Sequence, residues 1–137
     1  MTQPKITKKE DAMFQKEFYE GILKKNPDYV DALVLLGEIY TRQGLYQQGL
    51  KIDLKLTHLR PENPVIHYNL ACSLSLIGEV SESLQAIKRA IALGYDDFEF
   101  MKTDPDLGNL RRDKRFDLFL RRIRQQKTRK KNVRIAL

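Results

Sequence analysis

Very few side chains in this chain are equipped for chemistry. There is one cysteine, Cys72, and there are two histidines, His58 and His67. A reactive thiol needs a nearby cation or helix N-terminus to lower its pKa. The segment around Cys72, NLACSLSL, offers neither, which points to a small groove-lining or semi-buried side chain. Three such ligands also fall short of a structural zinc site. His67 near a helix start and His58 near a helix end have positions suited to packing or capping. No Ser, His and Asp set has a recognisable catalytic spacing, and no glycine-rich loop could cradle a phosphate. The expectation is therefore a protein without enzyme activity, cofactor or metal.

The other chemistry on offer is electrostatic. The net charge of +7 conceals a division: residues 111–137 hold twelve Lys or Arg against Asp113 and Asp117, whereas the remainder holds thirteen against sixteen acids. A mildly acidic body thus carries a strongly basic tail. Arg121, Arg122, Arg124, Lys127, Arg129, Lys130, Lys131 and Arg134 recur closely enough to neutralise several phosphates. If about six did so, affinity for nucleic acid would fall roughly 10³-fold between 50 and 200 mM salt. The only aromatics nearby are Phe116 and Phe119, which a helical stripe claims for packing, so base stacking has little support. The tail is equally suited to an acidic protein, such as a neighbouring copy's body, to an anionic membrane surface, or to solubility alone.

These residues must be held by helices. Phe14, Phe18 and Ile22 recur every four residues, predicting a helix over Lys8–Lys25 that Asn26-Pro27 stops. A second helix is expected from Asp28, with that carboxylate at its N-terminus and Val30, Leu33, Leu36, Gly37 and Tyr40 on one face. Gly44 ends it, because glycine accepts the left-handed conformation after a last turn. The third, over Tyr46–Leu59, is expected to bury Leu50, Leu54 and Leu56, and Arg60-Pro61 closes it. The plan then repeats 34 residues on: Pro61 answers Pro27, Gly78 answers Gly44, Leu70-Ala71 answers Leu36-Gly37, and Leu84 answers Leu50. Helices are expected over 65–76 and 80–93, the latter with Leu84, Ile87, Ala90 and Ile91 facing inward. A period of this size marks a helical solenoid, which presents a surface to other molecules.

A small residue after a leucine in each first helix, Tyr40 or Leu74 three further on, the turn glycine and the terminal proline together resemble tetratricopeptide repeats. Gly49 and Ser83 stand where alanine is usual, Asp53 where an aromatic is commoner, and Tyr95 where the final proline is expected. From residue 64 to about 120 the chain is more narrowly similar to the terminal module of bacterial tetratricopeptide arrays, through Asp104-Pro105-Asp106-Leu107, Leu110-Arg111, Asp113 and Arg115-Phe116. Physically this segment reads as a cap. Asp104 can act as N-cap with Pro105 at the first helical position of a short helix ending near Arg112. Asp113 can start another, on which Phe116, Phe119, Leu120 and Ile123 fall on one face. Beyond Ile123 the stripe stops, leaving a helix extension or a disordered basic arm.

The resemblance implies an all-α fold: a short right-handed superhelix of antiparallel helix hairpins, a tetratricopeptide-like solenoid with C-terminal capping helices. One such domain is expected over residues 1–123, with a half repeat at 8–27, repeats at 30–63 and 64–97 and capping helices at 98–123. Residues 124–137 form the basic tail. At 137 residues and 42% hydrophobic, the chain has no room for a second core. No long apolar run or secretory pattern follows MTQPKITKKEDAMF, so a cytoplasmic address is the default.

The repeat family's groove positions fall on Asp31, Val34, Glu38 and Arg42 in the first repeat and on Val65, Tyr68, Asn69, Cys72 and Leu76 in the second. A partner peptide could rest apolar side chains on Val34, Tyr68 and Leu76 while Asn69 binds its backbone. Alternatively, Tyr68 and Leu76 pack against the capping helices. Relatives that clamp the acidic C-terminus of chaperones use basic and amide residues at set groove positions. Only Asn69 matches, and Glu38 would repel such a tail. The implied function is a protein-binding adaptor or scaffold; the alternative is a nucleic-acid-associated protein acting through its tail. Association of two copies through the Phe14, Phe18 and Ile22 face is also open.

Overall fold

The computed structural model of the chain describes residues 5–136, with side-chain surroundings as far as residue 132. Helix follows helix: α1 (Lys8–Lys25), α2 (Val30–Arg42), α3 (Tyr46–Leu59), α4 (Pro64–Leu76), α5 (Val80–Ala92), α6 (Phe98–Thr103), a 3-10 turn over Pro105–Leu107, α7 (Gly108–Arg111) and α8 (Lys114–Ala136). Helices adjacent in sequence pack together, α1 on α2, α2 on α3, α3 on α4 and α4 on α5. This is an all-α, tetratricopeptide-like solenoid of antiparallel hairpins with capping helices, and the described residues contain no strand. No described helix is long and apolar enough to cross a membrane.

The period is visible in the turns. Gly44 (φ +76°) and Gly78 (φ +83°) adopt the left-handed conformation, and the residue after each donates its amide across the turn, Leu45 to Tyr40 O and Glu79 to Leu74 O, both at 2.9 Å. Each hairpin closes on small residues. A methyl added to Gly49 would come within 3.0 Å of Thr41 Oγ1, and one added to Gly37 within 3.2 Å of Ile52 Cγ2. One repeat later, Ala71 and Ser83 meet directly, with the fully buried Ser83 hydroxyl donating to Ala71 O at 2.7 Å. Ser83 and Gly49 thus serve the close approach that alanine serves elsewhere.

Two local expectations change. Helix α2 starts at Val30 behind Tyr29, without a side-chain cap, because Asp28 turns outward to Lys55 Nζ at 3.1 Å. The residue 34 positions on from the N-cap Tyr29 is Asn63, and it does cap α4, accepting from the Val65 and Ile66 amides at 2.9 and 3.3 Å. On α3 the inward stripe is Gly49, Ile52, Asp53 and Leu56, whereas Leu54 is 43% exposed and Leu50 only partly buried. A polar residue, Asp53, occupies a core-facing position there, so hydrophobicity alone misplaces the face.

Two apolar clusters result. One, around Leu33, Leu36, Ile52, Leu56 and Ile66, joins α2, α3 and α4. The larger, around Ala71, Leu84, Ile87, Met101, Leu107, Leu110 and Phe116, runs from α4 and α5 into the cap. The cap is stitched to α4 by polar bonds: Asn109 Nδ2 donates to Ser75 O at 2.8 Å, and the Leu110 amide to Ser75 Oγ at 3.1 Å. Arg111 Nη1 donates to the carbonyls of Met101 and Asp104 at 2.9 and 2.5 Å. Asp104 does precede Pro105 as a cap, accepting the Asp106 amide at 3.0 Å, but the segment opens as a 3-10 turn before the single α-turn of α7. Phe116 seals the end of the core, with Leu120 packed beside it.

Helix α8 is one uninterrupted helix across position 123, so the tail is a helix extension. From Arg124 to Asn132 its side chains are exposed, yet Lys127 Nζ sits 4.4 Å from the centre of the Phe98 ring. The side chain of Arg134 lies outside the described ones.

Candidate functional site

The inner face of the array holds an open cleft of about 290 Å³. Helix α2 contributes Val34, Gly37, Glu38, Thr41 and Arg42; α3 contributes Asp53 and Leu56; α4 contributes Tyr68, Asn69, Cys72 and Ser73; the cap contributes Phe100, Asp104 and Asp106. Helical spacing explains the first wall, because Val34, Glu38 and Thr41 recur at i, i+4 and i+7 and share a face. Of the residues assigned to a groove from sequence, Val34, Glu38, Arg42, Tyr68, Asn69 and Cys72 meet here. Asp31, Val65 and Leu76 do not line the cleft; Val65 is 52% exposed at the start of α4, and Leu76 is half-buried at its end.

Tyr68 is not an open apolar platform. It is 4% exposed, its ring stacks on Tyr95 with centroids 4.2 Å apart, and its hydroxyl donates to Asp104 Oδ2 at 2.6 Å. The alternative reading, in which Tyr68 packs against the capping segment, describes it. The exposed aromatic of the cleft is Phe100, 46% exposed and tilted against Tyr68 at 6.2 Å.

Asp104 is the hub of the far wall. One carboxylate oxygen accepts from the Tyr68 hydroxyl and from Cys72 Sγ at 3.7 Å, and the other accepts from the Asp106 amide. Burial, with Asp104 alongside, pushes the Tyr68 and Cys72 groups well up from their ordinary pKa values. Cys72 is accordingly a protonated, inert thiol. Cys72 Sγ and carboxylate oxygens of Asp104 and Asp106 lie within 4.8 Å of one another, a grouping that could in principle meet a metal ion. The bonds that Asp104 already makes account for the gathering, since both of its oxygens are committed to the protein.

The two histidines take capping roles. His67 Nε2 bonds to Pro61 O and His58 Nδ1 to Leu54 O, each at 2.8 Å. Asp53, at the floor of the cleft, accepts a hydrogen bond from the Ser73 hydroxyl. Desolvation raises its pKa from 3.8 to about 6, and the charge of Glu38 adds to the rise. Burial, then Asp104, raises Asp106 as well. Sequence reasoning missed Gly37, Thr41, Asp53, Leu56 and Ser73 as cleft residues, and with them Phe100, Asp104 and Asp106 of the cap. The Asp-Pro-Asp-Leu motif was legible as a cap, and the available signal was that a cap's outer wall faces the groove it closes.

The fold is that of an all-α, tetratricopeptide-like solenoid with an inner cleft. Among curated proteins, the chain is similar to a chloroplastic protein of Arabidopsis thaliana, with 34% identity over 87 residues covering 61% of this chain and 26% of that protein. It is also similar to Superkiller protein 3 of Saccharomyces cerevisiae, with 32% identity over 73 residues covering 53% of this chain and 5% of that protein. Both are tetratricopeptide-type proteins. The chain spans about a quarter of the first relative's length and a twentieth of the second's. No family model matches. Both relatives are eukaryotic, and the narrower likeness to a bacterial terminal module rests on the motif residues alone.

Proposed function

We propose that this protein is a non-enzymatic adaptor that holds a segment of a partner protein in the cleft between α2, α4 and the cap. The observation carrying this reading is the open cleft itself. It sets exposed Phe100 and half-buried Val34 beside Asn69, whose amide can both donate to and accept from a peptide backbone. The tetratricopeptide-type relatives support a protein-interaction role of a general kind. The test is quantitative capture with Asn69→Ala and Val34→Ala combined. Neither side chain is fully buried, so helicity should persist while partner recovery falls by about tenfold, consistent with removal of two central contacts. Unchanged recovery would remove the cleft from the account.

A second reading is favoured by α8, whose cations from Arg124 to Lys131 are exposed along one continuous helix. On that reading α8 binds nucleic acid while the repeats serve as scaffold. Charge reversal at Arg124, Lys127 and Lys131 should then abolish binding to a random duplex and flatten its salt dependence. Duplex binding that withstands the reversal would eliminate this reading.

A further inference from the structure

The cleft is lined by four carboxylates, Glu38, Asp53, Asp104 and Asp106, and, among the described residues, by a single cation, Arg42. Two of the carboxylates are occupied internally: Asp53 by Ser73, and Asp104 by Tyr68, Cys72 and the Asp106 amide. The other two are uncommitted, since among the described residues the Glu38 and Asp106 side chains enter no hydrogen bond or ion pair. Even with Asp53 protonated, the formal charge of the lining stays negative. Both Asp53 and Asp106 hold their protons more tightly than usual, as groups in a desolvated, negatively charged setting should.

We propose that the cleft selects a cationic partner: an extended segment that presents lysine or arginine to Glu38 and Asp106. This rests on the adaptor reading and names the chemistry of its partner. Complementary charge in a partly enclosed cleft contributes specificity and speed of encounter. Phe100 offers its ring to the same cation or to an apolar neighbour. Size decides between an extended segment and a helix. The cleft volume, about 290 Å³, is at the lower limit of ligand pockets, and a helix with its side chains is about 10–12 Å across. A volume of that size suits the side chains of an extended segment of another protein better than the basic helix α8 of a second copy.

The experiment uses the full chain and two pooled nonapeptide libraries of equal apolar content, one bearing lysine and arginine, the other aspartate and glutamate. A photo-crosslinking phenylalanine analogue in place of Phe100 keeps an aromatic ring in the cleft and reports its occupancy, and fluorescence anisotropy reports affinity. The cationic pool should crosslink from position 100, and Glu38→Gln with Asp106→Asn should weaken its binding about tenfold. The anionic pool, drawn to α8, should not crosslink from position 100 and should be indifferent to those substitutions. Crosslinking of the anionic pool alone would overturn the charge selection and leave the adaptor reading standing. Crosslinking of neither pool would overturn both. Crosslinking of the cationic pool with affinity unchanged in the double variant would again overturn the role of the two carboxylates.

Discussion

Asp53 carries a carboxyl group into the floor of the cleft, where Glu38 on α2 and Ser73 on α4 are its neighbours. Below about pH 4 the group is protonated in both folded and unfolded chains and contributes no pH dependence. Between about 4 and 6 the folded chain keeps a proton that the unfolded chain has lost, so stability falls as pH rises through that window. Above about 6 the loss is constant, on the order of 3 kcal/mol for a rise from 3.8 to about 6. Asp53→Asn keeps an acceptor for Ser73 and removes the titration. Its Tm should exceed that of the parent at pH 7 and match it at pH 4. A lower Tm at pH 7 would show that the ionised carboxylate stabilises the fold. In the cap, Leu110 is fully buried under Ser75, and Leu110→Ala should cost about 2–5 kcal/mol in denaturant unfolding. A cost near zero would mean that the cap does not seal the core. Residue roles were legible where they depend on neighbours in sequence, as with Gly44, Gly78 and the capping histidines. They stayed ambiguous where two distant segments meet: the sequence left Tyr68 either open in the groove or packed on the cap, and Asp104 and Tyr95 close on it at the cleft wall.

Helices were the most legible level, because prolines, turn glycines and apolar spacing are all local signals. The misplaced face of α3 shows where such signals stop: Leu54 is apolar yet outward, and Asp53 is charged yet inward. Helix α8 shows the same from the other side. Its apolar stripe does end at Ile123, but the helix continues, and Lys127 sets its ammonium over the Phe98 ring. Deleting residues 124–137 should therefore lower stability slightly, by about 0.5–1 kcal/mol for the lost cation–ring contact, with helicity otherwise retained. Collapse of the thermal transition would mean that the distal helix is part of the core. Gly78→Ala should cost about 1–2 kcal/mol from backbone strain alone, since a methyl there would meet nothing within 4 Å.

At the scale of the molecule, the two ends differ. The C-terminal end is sealed by Leu107, Leu110 and Phe116, whereas α1 leaves Phe14 69% exposed, stacked on Phe18 at 6.4 Å. If copies associate through this face, sedimentation will show a concentration-dependent dimer that Phe14→Ser with Phe18→Ser abolishes; a single monomeric species throughout would exclude that association. The cleft is also a property of the whole molecule, because Glu38 on α2 and Asp106 in the cap line one cleft only when the cap packs on α4. Whether this cleft holds the partner is decided by crosslinking in cells. Photo-reactive residues would be placed in turn at Phe100 in the cleft, as an aromatic analogue, at Lys51 and Gln85 on α3 and α5, and at Arg129 on α8. One discrete protein adduct is expected from position 100, lost in competition with excess unmodified chain, and none from Lys51 or Gln85. Adducts arising only from Arg129, or equally from every position, would contradict a partner held in the cleft.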